Sequence, residues 1–108
     1  MYRIILSHAA QKDLFEIREY IFKELDNEKA ATNTLKKITT SLRHLENFAQ
    51  VGALLSSICD VESGYRFLVC GKYLAFYRIC EDCVMIDRII YGKRDYLNVL
   101  FKDQLEEE

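Results

Sequence analysis

The chain has no proline, and only four glycines and two histidines among its 108 residues. With no proline, no repeats and no low-complexity tract, nothing marks a linker, so one domain spanning residues 1–108 is expected. Half of the residues are hydrophobic. A domain of this size buries roughly two-thirds of its unfolded surface, so its core needs no disulfide staples. Runs of about 18 or more apolar residues are absent, which excludes an ordinary transmembrane helix. The opening MYRIILSHAAQKDL carries only the short apolar run Ile4–Leu6 before polar residues return. That is too short for a secretory leader, and a cytoplasmic protein without a membrane partner is expected. An excess of charge of one sign is lacking too, the formal net charge being −2. Residues 1–48 hold eight basic and seven acidic side chains, residues 49–101 six of each, and the tail KDQLEEE (102–108) one and four. The acidity therefore sits in a solvated tail, and a general polyanion-binding surface is not expected.

Histidine is the usual acid–base side chain near neutral pH. His8 begins the first predicted helix, and His44 lies on the second, away from the arginine-bearing strands. Cysteine is present at positions 59, 70, 80 and 83. Cys80 and Cys83 form the motif CEDC, and a zinc site would need Cys59 and Cys70 as its other two ligands. Cys80 and Cys83 flank what reads as a tight β-turn, however, and Cys59 precedes the strands in a loop. Free thiols in a reducing compartment are the expectation, with no metal and no cofactor.

The periodicities give the order of elements. YRIIL (2–6) reads as a short strand, followed by Ser7 as a helix N-cap. Ala10, Leu14, Ile17, Ile21 and Leu25 fall at helical spacing on one face, with Phe15 and Phe22 as a second stripe beside it. Asp26-Asn27 breaks the pattern and can cap a second helix. Its seam of Ala31, Leu35, Ile38, Leu42, Leu45 and Ala49 suits antiparallel packing against the first helix. Residues 50–63 show no period and read as a loop, at most with one helical turn. YRFLVC, YLAFYRIC and CVMIDRIIY are then three strands joined by the two-residue turns GK and ED, an antiparallel meander. After Gly92, Tyr96, Val99 and Leu100 share one side of a final short helix. The resulting β-α-α-β-β-β-α order is an α+β fold, a helical hairpin packed on one face of a small antiparallel-rich sheet.

In this order the residues resemble the RelE/ParE superfamily of toxins from type II toxin–antitoxin systems. The resemblance rests on Tyr65-Arg66, Gly71-Lys72-Tyr73, Phe76-Tyr77-Arg78, Arg88-Ile89-Ile90 and Tyr91-Gly92-Lys93-Arg94-Asp95, together with the opening strand, Ser7 and the first helix. It covers nearly the whole chain. It implies a toxin that arrests growth, either by ParE-like inhibition of DNA gyrase or by RelE-like, ribosome-dependent cleavage of mRNA. A further possibility is a non-toxic relative that acts only as an interaction partner. A cognate antitoxin, and an oligomer formed with it, are implied in every case.

Metal-free RNA cleavage needs a base, cations at the phosphate and an acid for the leaving oxygen. The resemblance offers Tyr91, where many relatives carry His, as the acid or base, and Arg66, Arg88 and Arg94 as the phosphate clamp. Leu68, Leu74 and Leu100 stand where RelE-type nucleases carry basic residues or a late tyrosine. For a gyrase inhibitor, which needs a surface rather than a proton relay, Arg78, Lys93, Tyr96 and Phe101 are the candidate target contacts. Both versions expect the arginines to gather around the last strand as one cationic cluster.

Overall fold

The computed structural model describes residues 1–24, 26–57, 64–93 and 100. The chain opens with strand β1 (Arg3–Leu6), then helices α1 (His8–Glu24) and α2 (Glu28–Arg43), and a 3-10 turn at His44–Glu46. Strand β2 (Ala53–Leu54), a second 3-10 turn at Leu55–Ser57, and strands β3 (Arg66–Cys70), β4 (Tyr73–Ile79) and β5 (Cys83–Tyr91) follow. The sheet order is β1-β5-β4-β3-β2. The meander β3-β4-β5 is antiparallel, while β1 runs parallel to β5, with Arg3 opposite Cys83 and Leu6 opposite Ile86. The α+β architecture expected from the sequence is thus observed, with an antiparallel-rich mixed sheet.

The local signals act as their chemistry dictates. Ser7 Oγ accepts from the Ala10 amide at 3.0 Å and donates to the Asp87 carbonyl at 2.7 Å, so one hydroxyl both caps α1 and ties it to β5. Asn27 caps α2, its side-chain oxygen accepting from the Ala30 amide at 2.9 Å. Asp26 before it has φ +47°, a left-handed conformation that Asp tolerates better than most residues. Gly71 at the first position of the β3–β4 turn has φ +65°, as a type II′ hairpin turn requires.

Ala10, Ile17 and Ile21 of α1 and Ala31, Ile38 and Leu42 of α2 pack on Cys70, Ala75, Tyr77, Val84, Ile86 and Ile89 of the sheet. Each fully buried Ile or Leu of this kind contributes about 1.5–3 kcal/mol. The opposite face carries a smaller cluster of Leu55, Phe76 and Ile90, with Tyr65, Phe67, Leu74 and Leu100 against it.

The structure departs from the sequence reading in three places. Residues 50–63 hold strand β2, paired antiparallel with β3 through Ala53–Phe67 and Leu54–Arg66; a two-residue strand is too short to show a period. The second helix ends at Arg43, so Leu45 and Ala49 continue its buried seam from the 3-10 turn and the loop beyond it. Phe15 and Phe22 are exposed rather than packed, at 62% and 40%. The final helix of the sequence reading lies outside the described residues apart from Leu100.

Candidate functional site

Register decides where each arginine goes. Arg66, Leu68 and Cys70 pair with Tyr77, Ala75 and Tyr73, and this set faces the helices. Phe67 pairs with Phe76 on the other face, and Arg78 alternates with Phe76 onto that side. Between β4 and β5 the register slips at Phe76/Tyr77, where Phe76 meets Arg88 and Tyr77 meets Ile86. Asp87 is the extra residue of this β-bulge, and a bulge re-aims the side chains around it.

The consequences are specific. Arg88 makes a two-pronged ion pair with Asp13 of α1, Nε to Oδ2 at 2.8 Å and Nη2 to Oδ1 at 2.9 Å. The Ile89 amide also donates to Asp13 Oδ2, at 2.9 Å. Asp13 is 7% exposed, the one buried charged residue among those described. Its hydrogen bonds push the Arg88 guanidinium further above its already high range. Arg78 meets Asp87 instead, Nε to Oδ2 at 2.7 Å and Nη2 to Oδ1 at 3.3 Å, and lies over the Tyr65 ring at 5.4 Å. Arg66 turns to backbone, donating to the Gly52 carbonyl at 2.8 Å and the Gln50 carbonyl at 3.3 Å. The same loop is held by the buried Tyr77 hydroxyl, which donates to the Ala49 carbonyl at 2.8 Å and accepts from the Gly52 amide at 2.9 Å. A Cβ at Gly52 would lie 2.4 Å from that hydroxyl and 2.7 Å from the Phe67 carbonyl oxygen, so only glycine fits without movement.

The expected single cationic cluster is therefore not what Arg66, Arg78 and Arg88 form. They stand at three separate places, two neutralised by carboxylates and one spent on carbonyls. Carboxylates on neighbouring elements, and a bulge that no local pattern announces, pull them apart. Arg94, Tyr96 and Phe101 lie outside the described residues.

Tyr91 sits elsewhere, at the end of β5, with its ring edge-on to Tyr73 at a centroid distance of 5.7 Å. Burial, then Tyr20 and Tyr91, push the Tyr73 phenol up. These three tyrosines, with Lys37 of α2 and Lys72 of the β3–β4 turn, line a cleft of about 720 Å³ between the helical hairpin and the sheet end. Lys93, exposed, follows at the turn where the Gly92 amide donates to the Lys72 carbonyl at 2.9 Å. The sequence reading found Tyr91 and Lys93 but not Tyr20, Lys37 or the cleft. Its walls come from both helices and from β3, β4 and β5 with the turn between β3 and β4, and only the GK turn gave a local signal.

The helical hairpin over this sheet, with an N-terminal strand parallel to the last, is the RelE/ParE superfamily fold. A protein-family model described as the ParE toxin of the type II toxin–antitoxin system parDE matches residues 4–96. The chain belongs to that family; it is the toxin component of such a system, with a cognate antitoxin as partner. A solved structure titled "Chromosomal ParDE TA system from P. aeruginosa" is similar over 86% of this chain and 98% of its own, with 22% sequence identity and a TM-score of 0.73, a likeness of fold. Comparison with curated protein sequences finds no match. No helix among the described residues is long and apolar enough to cross a membrane.

Proposed function

We propose that the chain arrests growth by binding and inhibiting DNA gyrase rather than by cutting mRNA. One observation carries this reading: Arg88 and Arg66, two of the three arginines a nuclease would aim at the scissile phosphate, are engaged inside the protein. Freeing Arg88 would strand the buried Asp13 carboxylate, a cost of several kcal/mol. The only two histidines of the chain, His8 and His44, lie at the start of α1 and in the turn after α2, so neither opens on the arginine-bearing strands as a base. A surface that grips a protein needs neither free cations in one place nor a proton relay. Lys93, Tyr96, Phe101 and the exposed side of Arg78 are the proposed contacts to gyrase.

The competing reading, ribosome-dependent cleavage, draws on one feature: Tyr91 opens on the same cleft as Lys37 and Lys72. Cations there would stabilise charge building on a bound phosphate.

Purified protein added to gyrase, ATP and relaxed plasmid should block supercoiling, while a cell-free translation reaction with the same protein continues. Tyr91→Phe should leave gyrase inhibition within about twofold, since no proton moves. Halted translation with mRNA cut inside codons, lost in Tyr91→Phe and Arg94→Ala, would overturn the proposal in favour of the nuclease.

A further inference from the structure

The tip of the β4–β5 hairpin carries a pair of thiols outside the contacts proposed above. Cys80 follows the last residue of β4 and is exposed; Cys83 begins β5 and is buried. The Cys80 amide donates to the Cys83 carbonyl at 2.8 Å across the Glu81–Asp82 turn. Cys80 and Cys83 stand one step beyond the Ile79–Val84 pair of the β4–β5 register; opposite residues of an antiparallel pair lie roughly 4.5–5.5 Å apart at Cα, inside the window of roughly 4.4–6.8 Å that a disulfide spans. The tip is also held from the far side. The Arg3 amide donates to the Asp82 carbonyl at 3.1 Å, and the Arg3 guanidinium lies 3.6 Å from the Asp82 carboxylate. Cys83 is paired in register with Arg3 of β1, so its backbone is fixed between two strands. The Cys83 thiol is pushed up, first by the neighbouring Cys80 side chain.

We infer that Cys80 and Cys83 are a reversible dithiol–disulfide couple, a modification site at the hairpin tip, with exposed Cys80 oxidised first and sheltered Cys83 as its resolving thiol. With a peroxide as the oxidant, Cys80 Sγ attacks one peroxide oxygen. The O–O bond breaks, Cys80 becomes a sulfenic acid and one water leaves. Cys83 Sγ then attacks Cys80 Sγ; the S–O bond breaks, the S–S bond forms and a second water leaves. Two thiols and one hydrogen peroxide give one disulfide and two waters. Selectivity follows from placement. Cys83 is too covered to meet a thiol of another molecule, and Cys70 is buried beneath α2, its thiol pushed up by burial and so held in the unreactive protonated form.

The test uses the purified full chain with hydrogen peroxide in slight excess, followed by alkylation and peptide mass analysis. Two of the four thiols should become unreactive. The peptide carrying residues 80–83 should lose two hydrogens, the chain should remain free of intermolecular disulfides, and dithiothreitol should restore both thiols. In Cys83→Ser, a sulfenic-acid probe such as dimedone should label Cys80. In Cys80→Ser, oxidation of Cys83 should slow at least tenfold. A disulfide from either cysteine to Cys59 or Cys70, disulfide-linked dimers, or Cys80 oxidised to sulfinic acid while Cys83 stays alkylatable would each overturn the inference.

Discussion

Asp13 is the residue on which the junction of helix and sheet turns. It is buried, yet it accepts two bonds from Arg88 and one from the Ile89 amide, so its charge is met by three donors. Removing one partner of such a pair leaves the other uncompensated at a cost of about 3–5 kcal/mol. Arg88 retains 28% side-chain exposure, so water relieves part of that cost. Asp13→Ala should therefore lower unfolding stability by about 3 kcal/mol, toward the low end of that range. Asp13→Leu combined with Arg88→Met should recover more than half of the loss, because apolar groups in place of both charges need no partner. Urea denaturation of both variants measures this. A single variant as stable as the parent would show that the pair adds nothing. The letters Asp13 and Arg88 are plain in the sequence, but they stand 75 positions apart. Nothing local pairs them, so Arg88 reads as a free cation until the fold is known.

At the scale of elements, much of the fold was legible. The helical seam from Ala10 to Ile21, the caps at Ser7 and Asn27, and the turns GK and ED all follow from short-range chemistry, and the structure places them where that chemistry expects. Strand β2 was hidden because two residues carry no period. The parallel partnership of β1 with β5 was hidden because it joins opposite ends of the chain. The resemblance of residues 65–95 carried the superfamily where periodicity alone gave only a fold class. The candidate site was legible as a set of residue types but not as a place. The bulge beside Phe76 and Tyr77 separates Asp87 and Arg88, and register slips of one residue leave no mark in the letters. The caps, being local, lend themselves to a local test. Asn27→Ala should cost about 1 kcal/mol, visible as a lower urea midpoint and weaker hydrogen-exchange protection in the first turn of α2. An unchanged midpoint would mean that packing of Ala31 and Ile38 alone holds the helix start.

Across the whole molecule, three phenols respond together to alkali. Burial pushes up the Tyr65, Tyr73 and Tyr77 hydroxyls, each first by desolvation. Below about pH 10, the ordinary tyrosine value, folded and unfolded chains both keep these protons and stability does not depend on them. Above it the unfolded chain releases them first, so stability falls as pH rises toward the raised folded values. Unfolding midpoints measured upward from about pH 9 should fall from about pH 10, and less steeply in Tyr77→Phe. Midpoints that stay flat through that window would contradict the burial of Tyr77 and the half-buried placement of Tyr65 and Tyr73. One feature of the topology reaches beyond stability. Because β1 finds its strand partner, among the described residues, at positions 83–86, the sheet cannot close until those positions have been made and have left the ribosome. Until then the first strand of the fold waits, unpaired, for the last.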